Sequence, residues 1–271
     1  MSVELAEFKT LALRRDGPDG AVLHVTLSRP EVRNAMSLVM VRELRTVLGQ
    51  AQMRGEVRVI VLRGAGGHFC AGADLGDMAA ARMNLAGNPE VLVETNAAFG
   101  ELCVAFADAG IATVALVEGT CMGGGFGLAC VADVTLASDT AVFRLPETSL
   151  GLVPAQIGPF LVERLGYAEA RRLAVTGGRL NAQEALALRL VHGVFAADAL
   201  DAALVAVLND ILQSAPGAIA ATKALMAKAR FQSPSSLVQE AAQVFSAAVL
   251  GPEGTEGTMA FIQKRKPKWA P

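Results

Sequence analysis

Along this chain the apolar positions change period several times, and the changes predict the elements. Thr10 to Arg15 and Ala21 to Leu27 alternate, as half-covered strands do, and the stretch Asp16-Gly17-Pro18-Asp19-Gly20 between them is turn chemistry, so a β-hairpin is predicted. Ser28-Arg29-Pro30-Glu31 ends the second strand. Leu38, Val41, Leu44 and Leu48 then recur at helical spacing, which predicts a helix from about Leu38 to Gln52 capped by Ser37. Val57 to Leu62 is a strand that runs into a glycine-rich loop, Arg63 to Leu75. Residues 76–90 mix Ala, Met, Gly and Pro and predict a mobile loop or short helix, and Val91 to Asp108 predicts a helix. Ala112 to Leu116 is a short apolar strand leading into a second glycine-rich stretch, Val117 to Leu128, and Gly127 to Ala132 has no polar face and reads as a buried helix. Short strands at Val134–Ala137 and Ala141–Phe143 follow. Helices are predicted at Pro154–Leu165, Ala168–Thr176 and Ala182–Leu188, the last capped by Asn181, and a final strand at Val191–Phe195.

From Ala199 on the pattern is helical only, with segments at Ala199–Ser214, Ala218–Ala229, Ser235–Leu250 and Thr255–Lys264. The change near 196 predicts an α/β body over 1–195 and a helical subdomain over 196–271, whose apolar faces imply packing against another subunit. A chain of 271 residues with 52% hydrophobic content buries about three-quarters of its unfolded surface without staples. A net charge of −2 argues against a nucleic-acid-binding surface. No window approaches the ~20 apolar residues of a membrane span, and the acidic start lacks the apolar run of a signal peptide. Cys70, Cys103, Cys121 and Cys130 have no metal-ligand spacing and are expected to be reduced, as in a cytoplasmic protein.

Candidate chemistry gathers at the two strand-to-glycine-loop junctions, around Ala71 and around Gly124. Glycine costs a helix about 1 kcal/mol relative to alanine, so Gly123-Gly124-Gly125 at a helix start needs a reason. Either exposed N–H groups meet a ligand oxygen there, or helix and strand pack very closely. Two N–H groups converging on one oxygen make an oxyanion hole worth roughly 3 kcal/mol per donor. Glu147 follows a short strand and Pro146, which stiffens the backbone before it; it is a candidate general base or else a surface carboxylate. His24, His68 and His192 stand far apart and are expected to be structural, with no metal bound. Four cations in Lys264-Arg265-Lys266-Pro267-Lys268 make either a solvated end or a phosphate contact.

Together these motifs resemble the enoyl-CoA hydratase/isomerase, or crotonase, superfamily over nearly the whole chain. The segments that carry the resemblance are Ser28-Arg29-Pro30-Glu31-Val32-Arg33-Asn34-Ala35, Phe69-Cys70-Ala71-Gly72-Ala73-Asp74-Leu75, Gly123-Gly124-Gly125, and Leu145-Pro146-Glu147 with Leu150-Gly151-Leu152-Val153-Pro154. The resemblance implies a superhelix of ββα turns with a helical C-terminal trimerisation region, assembly as a homotrimer or dimer of trimers, and acyl-CoA thioester substrates. It implies no cofactor, coenzyme A being part of the substrate. Ala71 and Gly124 would hold the thioester oxygen, Glu147 would be the catalytic acid/base, and Ala71, Gly72, Ala73 and Asp74 would border the CoA arm. Arg29, Arg33, Lys264 and Lys266 would reach CoA phosphates. Hydratases of this family usually carry a second glutamate three residues after the middle glycine of the triplet; that position is Gly127 here. Its loss leaves three alternatives: a hydratase working with one carboxylate, a double-bond isomerase, or a non-catalytic acyl-CoA-binding trimer. A narrower resemblance, carried by Gly66 to Gly72, Gly123 to Cys130, Pro154-Ala155-Gln156-Ile157 and Gly257 to Trp269, is to the isohexenylglutaconyl-CoA hydratase branch of acyclic terpene degradation. That branch also has glycine at the Gly127 position and takes a substrate with a free carboxylate, for which Arg144 is either the partner or a surface side chain.

Overall fold

The computed structural model describes residues 7–84 and 86–271. The hairpin forms as expected: β1 (Leu11–Asp16) and β2 (Val22–Leu27) pair antiparallel, Leu11 opposite Leu27 and Asp16 opposite Val22. Helix α1 (Leu38–Arg54) follows, with the Ser37 hydroxyl accepting from the Met40 N–H at 3.2 Å. Strand β3 (Val59–Gly64) leads into the first glycine loop, and the ambiguous stretch after it is helix α2 (Leu75–Met83). Helix α3 (Val91–Ala107) precedes β4 (Ala112–Val117). The second glycine-rich stretch holds a three-residue strand, β5 (Thr120–Met122), not expected from the sequence, before α4 (Gly124–Val131). Strands β6 (Val134–Ser138) and β7 (Val142–Arg144) come next.

The two helices expected over 154–176 are present as the two limbs of α5 (Gly158–Thr176), broken at Gly166, whose φ 75° and ψ 158° are not helical. Pro154 has no regular structure and residues 155–157 are turn, not helix. A further short strand, β8 (Arg179–Asn181), was hidden by its length; α6 (Ala182–Ala187) follows with a full capping box between Asn181 and Glu184. Strand β9 (Gly193–Phe195) closes the α/β part, and α7 (Leu200–Gln213), α8 (Pro216–Ala229), α9 (Pro234–Leu250) and α10 (Pro252–Ile262) complete the chain.

The strands form two sheets. One runs β1-β2-β3-β4-β6-β9, parallel from β2 onward; the other runs β5-β7-β8. Alternation divides the larger sheet between two cores. Val25, Ile60, Leu62, Ala115 and Val117 face α1, α3 and α4, while Val59, Val61, Val114, Leu116 and Leu136 meet Leu200, Leu204, Leu208 and Leu212 of α7. Helix α7 is therefore the cover of one sheet face, and the boundary expected after 195 separates a helix from the sheet it covers. Both glycine loops leave the carboxyl ends of parallel strands, where open α/β sheets commonly place ligands.

Candidate active site

The first glycine loop is laced to the second by backbone hydrogen bonds. The Phe69 N–H donates to Glu118 O at 2.8 Å, Cys70 N–H to Thr120 O at 3.0 Å, and Met122 N–H to Cys70 O at 2.9 Å. Two glycines let the loops close on each other. Gly72 has φ +97°, and a Cβ there would stand 3.2 Å from Met122 O and 3.6 Å from Gly123 Cα. Gly123 has φ +48°, and a Cβ there would stand 2.9 Å from a Glu147 carboxylate oxygen. Buried Asn34 holds the loop from below: its Nδ2 donates to Ala65 O at 2.9 Å and His68 O at 2.7 Å, and its Oδ1 accepts from the Arg29 N–H at 2.9 Å. Nothing in the sequence pattern pointed to that scaffolding role; an Asn four residues after Pro30 was the one available signal.

The structure corrects one expected donor. The Ala71 N–H donates to Arg33 O at 2.9 Å and faces away from the cavity. Two residues on, Ala73 forms a parallel bridge with Met36: Met36 N–H donates to Gly72 O at 2.7 Å, and Asp74 N–H to Met36 O at 3.1 Å. Successive N–H groups of an extended chain point to opposite sides, so the Ala73 N–H points away from Met36. Among the described residues neither the Ala73 nor the Gly124 N–H has a hydrogen-bond partner. Both residues line a cavity of about 370 Å³ together with Glu147, Phe99, Gln156 and Ile157. Gly72 does not line it; its part is the close approach to Met122 and Gly123.

Glu147 begins a 3₁₀ turn after β7, its carbonyl accepting from the Leu152 N–H at 2.8 Å. Its Oε2 is buried without a hydrogen-bond partner, and burial pushes the carboxyl above the usual glutamate range. Gly127 has no room for the second acid. A Cβ there would overlap Ile157 Cγ2 and stand 3.5 Å from Phe99 Cζ. Two side-chain amides also line the cavity, Gln156 Nε2 donating to Asn96 Oδ1 at 2.8 Å.

The expected anion-binding residues are mostly occupied elsewhere. Asp74 does line the cavity, but its carboxylate caps α2 and accepts from Arg29 Nη1 at 2.7 Å. Burial pushes that carboxyl up; the hydrogen bonds from Arg29 and from the Gly76 and Asp77 N–H groups outweigh it and hold the pKa below the ordinary value. Arg29 also donates to Ala35 O, so it braces the first loop. Arg33 and Arg144 do not line the cavity, and Arg144 Nε points to Gly177 O at 3.4 Å. Lys266 Nζ donates to Pro271 O at 2.6 Å, and the last residues of the tail lie at the other end of the sheet. The tail is anchored there by Arg58 Nη1 on Trp269 O at 2.6 Å and Trp269 Nε1 on Gln213 O at 3.0 Å, and Arg58 directly precedes β3. Neither Lys264 nor Lys266 lines the cavity of its own chain. Among the described residues the one cationic side chain lining the cavity is Arg82, in the last turn of α2, which the sequence did not single out.

The remaining chemistry-bearing side chains are structural. All four cysteines are buried and free, and burial pushes the Cys70 thiol up to about 11 and Cys130 up to about 12. His68 Nδ1 accepts from the Thr120 N–H at 3.1 Å, tying the two glycine loops together.

Two amides without partners among the described residues, from separate glycine loops, and one half-buried acid share a cavity in which an oxygen gaining negative charge could be held. The whole-chain comparisons agree on the class. The enoyl-CoA hydratase/isomerase family pattern matches residues 18–271, and the chain belongs to that family. It is 31% identical to the peroxisomal Delta(3,5)-Delta(2,4)-dienoyl-CoA isomerase of Arabidopsis thaliana, over 98% of this chain and 99% of that one. It is 35% identical to the enoyl-CoA hydratase ACTT6 of Alternaria alternata, over 88% of this chain and 78% of that one. Among solved structures, Pseudomonas aeruginosa AtuE superposes with a TM-score of 0.92 at 52% identity, covering 97% of this chain and all (100%) of that one. An enoyl-CoA hydratase/isomerase from Marinobacter aquaeolei gives 0.93 at 47% identity with the same coverage. The fold is thus the crotonase fold with its helical C-terminal region.

Proposed function

We propose that the protein is an enoyl-CoA hydratase that adds water reversibly across the 2,3 double bond of a 2-enoyl-CoA thioester. The observation that carries this reading is the half-buried Glu147 carboxyl, its Oε2 buried without a partner, in one cavity with the N–H groups of Ala73 and Gly124, unpartnered among the described residues. The thioester oxygen sits between the two amides. Glu147 takes a proton from water as the water oxygen bonds to the β-carbon, and the π electrons move onto the thioester oxygen as an enolate. Glu147 then returns that proton to the α-carbon as the carbonyl re-forms. One carboxyl is enough because the proton it removes is the one it delivers. Desolvation keeps its affinity for that proton high.

The substrate proposed is a branched glutaconyl-CoA such as isohexenylglutaconyl-CoA, its free carboxylate facing Arg82. The apolar faces left open on α9 and α10, with Phe245 71% and Phe261 86% exposed, support assembly as a homotrimer or dimer of trimers. Lys264 and Lys266 of a partner's tail would then supply phosphate contacts. The isomerase reading is kept alive by the absence of a second acid at Gly127: one carboxyl moving a proton between two carbons needs no water. Incubation with 2-enoyl- and 3-enoyl-CoA esters in ¹⁸O-water separates them. Label in the product supports hydration, and a shifted double bond without label supports isomerisation. Binding of CoA esters with no turnover across the panel overturns both.

A further inference from the structure

Gln156 stands between two cavities. On one side is the 370 Å³ site with Glu147; on the other is a cavity of about 1080 Å³ between α3, α5 and α8, of which Gln156 is also a lining residue. Its side chain lies against Gly100, where a Cβ would overlap the amide, and is tied to Asn96 at 2.8 Å. Gln156 is thus the lining residue the two cavities share, and its side-chain amide donates one hydrogen bond, at the surface. The larger cavity is an open groove lined by Ala97, Gly100, Phe160 and Ala227, with Phe231, 79% exposed, at its edge. Most of its charged rim is paired within the protein: Glu101 with Arg45, Glu163 with Arg230, Lys228 with Glu240, and Lys223 with Asp133 at 2.7 Å; the remaining charge, the Asp108 carboxylate, would repel an anion. Paired charges around an apolar groove suit an uncharged hydrocarbon chain better than an anion or a polar peptide.

We propose that Gln156 is the acyl-length gate of this enzyme, and that a long or branched apolar acyl chain turns it aside and enters the cavity between α3, α5 and α8. This rests on the acyl-CoA reading of the first cavity, though not on the reaction performed there. Short acyl chains end at the amide. Longer ones displace it from Asn96, break one exposed hydrogen bond, and gain apolar burial beyond it. Each methylene moved out of water is worth about fourfold in affinity.

The test uses saturated acyl-CoA esters, which bind without turnover, so a failed hydratase reading does not mask the result. Affinities for butyryl- and dodecanoyl-CoA are measured by titration calorimetry on the full-length protein, its Gln156→Ala and Ala227→Phe variants, and the double variant. The expected result is that Gln156→Ala favours the long ester over the short one at least tenfold more than wild type does. Filling the cavity with Ala227→Phe removes that gain in the double variant. A crystal structure with dodecanoyl-CoA should show the terminal carbons between Phe160 and Phe231. The proposal is overturned if the preference moves less than twofold in Gln156→Ala, or if the double variant keeps the gain. It is equally overturned if light scattering shows Ala227→Phe dissociating an oligomer, which would make a second copy of the chain the occupant. Butyryl-CoA failing to bind at all would instead sink the acyl-CoA reading.

Discussion

Replacing Gly127 by alanine tests why this site has a single acid. The added methyl would overlap Ile157 Cγ2, 3.3 Å from Ile157 Cβ and 3.5 Å from Phe99 Cζ. Ile157 is 3% exposed and belongs to the main core, so it has little room to retreat. Overpacking of this kind costs about 1–3 kcal/mol, while glycine to alanine within a helix returns about 1 kcal/mol, so the net loss expected is about 0–2 kcal/mol. Ile157→Ala alone leaves a cavity and costs about 2–5 kcal/mol. In the double variant the new methyl has space where Cγ2 stood, and the penalties do not add. The coupling expected is about 1–3 kcal/mol in favour of the pair, read from urea unfolding of all four proteins with a shared m-value. Additivity within about 0.5 kcal/mol would show that Ile157 does not close the Gly127 position, and the steric account of the missing glutamate would fall. Gly127→Glu with Ile157→Ala extends the cycle to function. If space alone excludes the second acid, that variant folds, whereas Gly127→Glu alone is the least stable of the set.

Glu147→Gln should lower hydration turnover about 10²–10⁴-fold with little change in binding of saturated acyl-CoA; unchanged turnover removes Glu147 as the base. The same variant separates the electrostatics. Burial raises the Glu147 pKa in the folded protein, so the native state holds the proton after the unfolded chain has released it, and stability falls as pH rises from the unfolded pKa through the folded one. Thermal melts should therefore show Glu147→Gln stabilised relative to wild type at pH 8 and not at pH 4, and the acid limb of wild-type kcat/KM should lie above the ordinary glutamate value; equal differences at both pH values contradict this. Arg82→Leu should raise KM for a glutaconyl-type ester about tenfold or more and leave crotonyl-CoA less affected, whereas equal losses on both would assign Arg82 to the CoA arm. Gly72→Ala, at φ +97° and 3.2 Å from Met122 O, should separate the two loops and lower kcat more than it lowers CoA affinity, as seen by steady-state kinetics beside calorimetry.

Local chemistry settled much of this protein in the sequence. The hairpin, α1 with its Ser37 cap, the buried β4 and the capping box at Asn181 are short-range patterns of period, cap and turn, and they appear where those patterns put them. The motif order along the chain likewise identified the family and brought Gly124 and Glu147 to one cavity. Tertiary structure alone decided what depended on partners far away in sequence. β5 and β8 are three residues each and exist only because β7 lies between them. Which amide of the first loop is available turned on the carbonyl of Arg33, which takes the N–H of Ala71 and leaves that of Ala73. Arg29 is paired with Asp74, a partner 45 residues away, and the chain's last residues are held by Arg58 on Trp269 O. An N–H or a charge has the same identity in any sequence; whether it can serve a ligand depends on whether the fold has already satisfied it.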